Sequence, residues 1–299
     1  MPAVRQKFHL SACAESRDRL FTVASTVACT HIAAAAGLPV KAPVAPPVIA
    51  APSWAGWYVG LNAGYVDPLS SLTRNAAIIS TSSSSENATA LASGVTSDLG
   101  RGSGGFIGGG QIGYNFQWTP AVLVGLETDI QGSSLRESGT VNTSTFVNSA
   151  AGTWLATINA TRHLDYLGTL RGRIGLTNIP GWLFYATGGL AYGGVSSSTS
   201  ITAVGAAGFP PAQSIAGSFS GTRAGYSVGG GVEYMWVRNW SAKFEYLYYD
   251  LGSVNYSNGT LAFDMDPTPF PGNGIASVAS TSSTRFNGHI FRVGVNYHL

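Results

Sequence analysis

The chain has 299 residues, of which 39 are glycine and 10% are charged, well under the ~25% charge of an ordinary cytosolic protein. No run of ~18 apolar residues occurs in its body, which excludes a membrane-crossing helix there. Removing residues 1–36 takes away Arg5, Lys7, Arg17 and Arg19 with Glu15 and Asp18, so 16 basic and 14 acidic residues fall to 12 of each, and no basic patch is left for nucleic acid.

Residues 1–36 read as a secretory signal peptide. Residues 1–19 are basic on balance, Leu20–Ala36 is small and moderately apolar, and Ala34-Ala35-Ala36 forms an A-x-A cleavage site that leaves Gly37 first. Val27-Ala28-Cys29 is a weaker alternative, a lipoprotein cleavage box in which Thr26 stands where a branched apolar residue is wanted. Both cysteines, Cys13 and Cys29, lie in this segment, so the mature chain has neither disulfide nor thiolate metal site. Residues 37–53, containing PVKAPVAPPVIAAP, read as an extended proline-rich periplasmic spacer. The folded body is residues 54–299.

Its first predicted strand, Trp54–Val66, puts Trp57, Val59, Leu61 and Tyr65 on one face and Asn62 with glycines on the other. A polar stretch, 67–103, leads to the most informative segment, Gly104–Leu135. There Phe106, Ile112, Tyr114, Phe116 and Trp118 alternate with Ile107, Gln111, Asn115 and Gln117. After Thr119-Pro120 the period of two resumes, with Val122, Val124, Leu126, Thr128 and Ile130 against Leu123, Glu127, Asp129 and Gln131. This pattern is a β-hairpin. Its strands reach the ~9–11 residues of a membrane-spanning strand, and its polar face carries carboxylates that no soluble core accepts readily. The hairpin is inside out.

A second polar stretch, 136–163, precedes Leu164–Thr177, read with Leu164, Tyr166, Leu170, Ile174 and Leu176 outward and Asp165, Thr169, Arg171 and Arg173 inward. The turn 178–181 joins it to Trp182–Ser196, and a third polar stretch covers 197–223. Ala224–Trp236 and Trp240–Leu251 form another hairpin across 237–239, with Glu233, Lys243 and Glu245 inward. After 252–285 comes the last strand, Phe286–Leu299, with Phe291, Val293, Val295, Tyr297 and Leu299 outward. That makes eight strands with short and long connections in strict alternation. Short periplasmic turns and four long external loops are the pattern of an all-β, eight-stranded, antiparallel transmembrane barrel, and closure removes the strand edges that lipid does not tolerate.

In so narrow a barrel the interior is filled by side chains. The inward charges Glu127, Asp129, Asp165, Glu233 and Glu245 are therefore expected to pair with Arg171, Arg173, Lys243 and Arg292, because a lone buried charge costs several kcal/mol. The favoured reading is a plugged lumen; the alternative is a narrow polar pore with some ion selectivity. Trp57, Trp118, Trp182, Trp236 and Trp240 cluster at strand ends, as interfacial girdles do, which suits them better than a sugar or nucleic-acid stacking platform.

The segments LPVKAP, WAGWYVGLNAGY, GGGQIGYNFQW, VGLETDIQGS, LRGRIGL, WLFYATGGLAYG, SVGGGVEYMW, KFEYLYYDLG and FRVGVNY, spread over Leu38–Leu299, together resemble the opacity-like outer-membrane β-barrel family of alphaproteobacteria. The resemblance implies an integral outer-membrane protein, in some members described as porin-like. It also implies a C-terminal signal for the barrel-assembly machinery, with Arg292 and Gly294 followed by Tyr297 and Leu299; the family usually ends in phenylalanine, and Leu299 departs from that. The expected partners are outer-membrane lipid and lipopolysaccharide, periplasmic chaperones, that machinery, and a host-surface or phage ligand at the loops.

Enzymatic readings are weaker. Gly108-x-Gly110-x-x-Gly113 matches the dinucleotide fingerprint by letter, but the fingerprint belongs between a strand and a helix, and here it lies within a strand. The mature chain offers His163, His289 and His298. His163, at the external rim close to serines and to Asp165, would be the candidate of an interfacial lipid-modifying enzyme, yet no G-x-S-x-G elbow surrounds any serine, and no histidine pair has metal-ligand spacing on one strand. No cofactor, metal or catalytic residue is assigned, and the role expected is structural or at the cell surface.

Overall fold

The computed structural model describes residues 53–82, 85–148, 152–205, 211–264 and 275–299; the expected signal peptide and nearly all of the spacer lie outside them. The elements are β1 (Gly56–Pro68), β2 (Thr73–Ser82), α1 (Ser85–Val95), β3 (Ser97–Leu99), β4 (Gly105–Gln117) and β5 (Val122–Asn148), then β6 (Gly152–Leu176), β7 (Trp182–Gly205), β8 (Gln213–Val237), β9 (Trp240–Asp264) and β10 (Ile275–His298). β1 and β4 to β10 pair in that order, all antiparallel, and β10 returns to β1 to close a ring of eight. Beyond the end of β1, β10 pairs instead with β2, which carries β3 on its other edge.

At one end the connections are tight. Trp118 N–H donates to Val122 O at 2.9 Å, and Trp182 N–H to Ile179 O at 3.0 Å. Gly181 takes φ = +79° in the second of these turns, a conformation that side chains with a Cβ disfavour.

At the other end the structure departs from the sequence reading. β5 to β10 run through most of the stretches 136–163, 197–223 and 252–285 that were expected as loops. Strands of 24 to 27 residues span roughly 80–90 Å along their length, whereas the apolar band of such barrels is about 25 Å tall. More than half of the wall therefore stands beyond the lipid.

The patterning inverts at that boundary. Within the band, Leu61, Phe106, Leu126, Leu170, Ile174 and Leu190 are exposed on the outer face while Glu127, Arg171, Glu233 and Arg292 are buried inside. Beyond it, Trp154, Ala156, Ile158, Ala160, Ile201 and Ala203 face inward and are buried, and serine, threonine and asparagine face water. The extension is an ordinary sheet with an apolar core. Alternation is hard to see there because alanines such as Ala156, Ala160 and Ala203 stand among threonines, so the contrast along the chain is low.

α1 was missed for a similar reason. Its buried stripe consists of Ala88, Leu91 and Val95, at the i, i+3, i+7 spacing of one helix face, inside a Ser/Thr/Asn-rich segment. That stripe packs on Trp154, Ile158, Leu261, Phe263 and Val278 in the upper core.

One expected site residue is corrected. Asp165 sits in a β-bulge: both neighbouring strands skip it, Leu164 pairing with Val195 and Tyr166 with Gly194. The extra residue turns Asp165 outward, where it is exposed, and turns Leu164 inward, where it is 1% exposed. Asp165 is not part of the lumen network, and Leu164, expected outward, belongs to its apolar ceiling.

Candidate functional site

The lumen is filled layer upon layer. At the short-turn mouth Trp54 is buried with Leu123, Leu183, Tyr185 and Met235. Asn115 Nδ2 donates to Trp54 O at 3.0 Å, and the indole meets the His298 ring edge-on at 5.5 Å.

Next comes the charge network. Register sets Glu127 opposite Arg171, Glu245 opposite Arg292 and Glu233 opposite Lys243, and the inward face of each strand carries these side chains to the axis. Arg171 is the hub. Its Nη2 lies 2.5 Å from Glu127 Oε1 and 2.7 Å from Asp129 Oδ2, and its Nη1 lies 3.2 Å from Glu245 Oε1. Arg292 Nη2 reaches Asp129 at 2.9 Å and also pairs with Glu245. Lys243 Nζ crosses the lumen to Glu127 at 3.2 Å instead of meeting Glu233, its neighbour across the ladder. Glu233 is taken by Arg173 Nη2 at 3.1 Å and by Asn296 Nδ2 at 2.6 Å. The Tyr58 hydroxyl donates to Glu127 at 2.7 Å and accepts from Arg173 Nη1 at 2.8 Å; the Arg173 guanidinium lies over the Tyr185 ring at 4.1 Å. Four cations thus face four carboxylates, all buried, and the joined pairs offset a desolvation penalty of several kcal/mol per ion. The last glycine of the motif has its reason here: a Cβ at Gly113 would collide with the Tyr58 hydroxyl.

Above the charges lies an apolar layer that includes Ile107, Leu135, Leu164, Leu167, Leu247 and Phe286. Then comes an ion pair that the sequence reading did not find, Glu137 with Arg162, both sealed from solvent. Arg162 Nη1 also donates to Arg285 O at 2.9 Å. Burial pushes the Glu137 carboxyl above the usual carboxylate range even with Arg162 beside it. A period-two reading of residues 152–163 would have found Arg162 in line with Trp154, Ile158 and Ala160. Ser197, Thr284, Thr73 and Tyr256 form a hydroxyl belt joined by bonds of 2.9–3.0 Å. The upper core with α1 closes the column.

The histidines meet other partners. His163 Nδ1 lies 3.0 Å from Arg136 Nη1, and His289 Nδ1 lies 2.8 Å from the Tyr246 hydroxyl. Ser241, His298 and Glu233 come together, with Ser241 Oγ 2.9 Å from His298 Nε2 and donating to Glu233. Glu233 Oε1 also faces that same Nε2, at 3.5 Å. A nucleophilic relay needs the imidazole between serine and carboxylate, with one ring nitrogen for each. Here one nitrogen faces both, and the trio is buried under Trp54. Among the described residues no group of three or more potential ligands is placed to hold a metal ion.

On the outer wall Trp57, Trp118, Trp182, Trp236 and Trp240 are 37–70% exposed and all lie towards the short-turn end. Tyr297 packs on Trp240 at 5.1 Å. Leu299 N–H donates to Trp57 O at 2.9 Å, where β10 meets β1, and a Cβ at Gly294 would press on Leu61 O.

A closed antiparallel ring with an apolar outer belt, an aromatic row at the tight turns and its charges turned inward defines an integral β-barrel protein of the outer membrane. Residues 26–298 match the family described as outer membrane protein beta-barrel domain. The 31 kDa outer-membrane immunogenic protein of Brucella melitensis is 34% identical over 262 residues, 86% of this chain and 88% of that protein. The 22 kDa outer membrane protein of Rhizobium leguminosarum is 28% identical over half of this chain and 59% of its own. The solved outer membrane protein OprG of Pseudomonas aeruginosa covers 82% of this chain and 97% of its own at 12% identity, with a TM-score of 0.34. The chain belongs to the outer membrane protein beta-barrel domain family, and its place is the outer membrane.

Proposed function

We propose that this protein is a closed barrel that anchors a rigid β-structure on the outside of the cell, with a structural or surface-interaction role. One observation carries the reading: the charge network is capped by two successive apolar layers, with a sealed ion pair and a hydroxyl belt between them. An ion entering from either side would have to shed its water against hydrocarbon. The outward surface of the extension, poor in charge and rich in serine, threonine and asparagine, is the part offered to a host-surface or phage ligand. The name of the Brucella relative, an immunogenic protein, agrees with such exposure. Gly294, Tyr297 and Leu299 are taken as the signal to the assembly machinery after periplasmic chaperones have delivered the chain.

The test is conductance of the folded protein in a planar bilayer, folding being checked by heat-dependent gel mobility. A silent bilayer is the expected result. Stable steps whose ion selectivity changes on Glu127→Gln would overturn it and establish the porin-like alternative.

A further inference from the structure

The arginines are not scattered. After Ser53, Arg162, Arg171, Arg173, Lys243 and Arg292 are buried, and Arg238 lies in the short turn between β8 and β9. The other five, Arg74, Arg101, Arg136, Arg223 and Arg285, all stand just past the apolar belt at the opposite end. Three of them converge. β2, β10 and β9 lie side by side there, with Arg74 opposite Ser283 and Arg285 opposite Ser253. These four side chains, with Ser70 and Ser71, line a cavity of about 410 Å³. Arg223 Nη2 donates to Ser253 O at 3.0 Å, which brings a third guanidinium to its edge.

Two carboxylates share the patch. Asp98 Oδ2 lies 3.1 Å from Arg74 Nε, and Asp250 Oδ2 lies 2.5 Å from Arg285 Nη2. Three cations against two anions leave a net positive site, and the Arg74 and Arg285 side chains remain 73% and 53% exposed. A planar guanidinium fork matches the oxygens of a phosphate, and serine hydroxyls add donors that suit the same oxygens. The level matters as well. On β10 the site begins four residues before His289, about 13 Å along the strand. His289 packs with Tyr246 and Tyr248, and Tyr248 meets Tyr226 at 6.1 Å, a set of rings at the belt's outer edge, opposite the tryptophans. Lipid headgroups lie at that depth.

We propose that the cavity bounded by Arg74, Arg285 and Arg223 binds the phosphate of an outer-leaflet lipid, such as that of lipopolysaccharide. The proposal rests on the outer-membrane reading and gives it a specific lipid site.

The full-length protein is folded into phosphatidylcholine nanodiscs, loaded with bisphosphorylated lipid A, and released for native mass spectrometry, which counts the lipid A retained. The expected result is one retained molecule, with retention reduced about tenfold by Arg74→Gln, the loss of ~1.4 kcal/mol of binding, and unchanged by Arg238→Gln. Arg285→Gln paired with Asp250→Asn, which leaves no unpaired carboxylate, gives the same loss in a barrel whose gel mobility shows it folded. Equal retention by these variants, or equal retention of dephosphorylated lipid A, would overturn the proposal. Inorganic phosphate that displaces lipid A from the wild type, and fails to bind Arg74→Gln, supports the phosphate site; inorganic phosphate that binds a wild type which retains no lipid A would assign the site to soluble phosphate and overturn the lipid proposal. None of these outcomes depends on whether the lumen conducts, so failure here leaves the closed barrel standing.

Discussion

Arg171→Met is expected to cost the folded barrel about 3–5 kcal/mol, read as a lower urea midpoint for unfolding from lipid vesicles, followed by tryptophan fluorescence. Arg171 is fully buried and touches three carboxylates, Glu127, Asp129 and Glu245. Methionine fills much of the volume but leaves three cations facing four buried carboxylates. The loss is therefore mainly that of an uncompensated charge, and not of packing. Adding Glu127→Gln should recover part of it, because the balance returns to three against three and Glu127 is the carboxylate that Lys243 and Arg292 also approach. A double variant less stable than Arg171→Met alone would show that Glu127 is held chiefly by its other partners. The same Arg171→Met barrel should remain silent in a bilayer, since the apolar layers above it are untouched. Conductance appearing with this one change would mean that the charges are the seal.

The second large effect distinguishes the membrane band from the extension. Leu126 is 63% exposed on the outer face of β5, midway between the turn residue Val122 and Ile130. Leu126→Arg at that depth should cost about 2–4 kcal/mol. Asn159→Arg, on the outer face of the same wall further along β6, should change stability by no more than about 0.5 kcal/mol, since water already bathes that surface. Both positions are exposed in the bare protein, so exposure alone predicts equal tolerance. Only the surrounding solvent tells them apart. Equal costs at the two sites would place the band edge wrongly.

The sequence by itself determined a great deal of this protein. Alternation with a period of two is a local property, and it marked the hairpins through Val122, Val237 and Trp240, the outward Leu126 and Phe244, and the inward Glu127 and Arg173, because side chains on a strand alternate whatever the strand later packs against. Short turns against long connections then implied ring closure. The tertiary structure decided the rest. Asp165 carries no mark of a bulge in its own neighbourhood; one unpaired residue there shifts the parity of everything N-terminal to it in β6, and so exchanges Asp165 for Leu164 and brings Arg162 inside. The extension looked like loop because alanine and threonine differ little in hydrophobicity, and only the presence of α1, Trp154 and Phe263 inside makes its inner face a core. Closure finally chose the partners. Lys243 meets Glu127 across the lumen and not Glu233 beside it, since the ring brings together residues more than a hundred positions apart, and a buried cation goes where the carboxylates are most crowded.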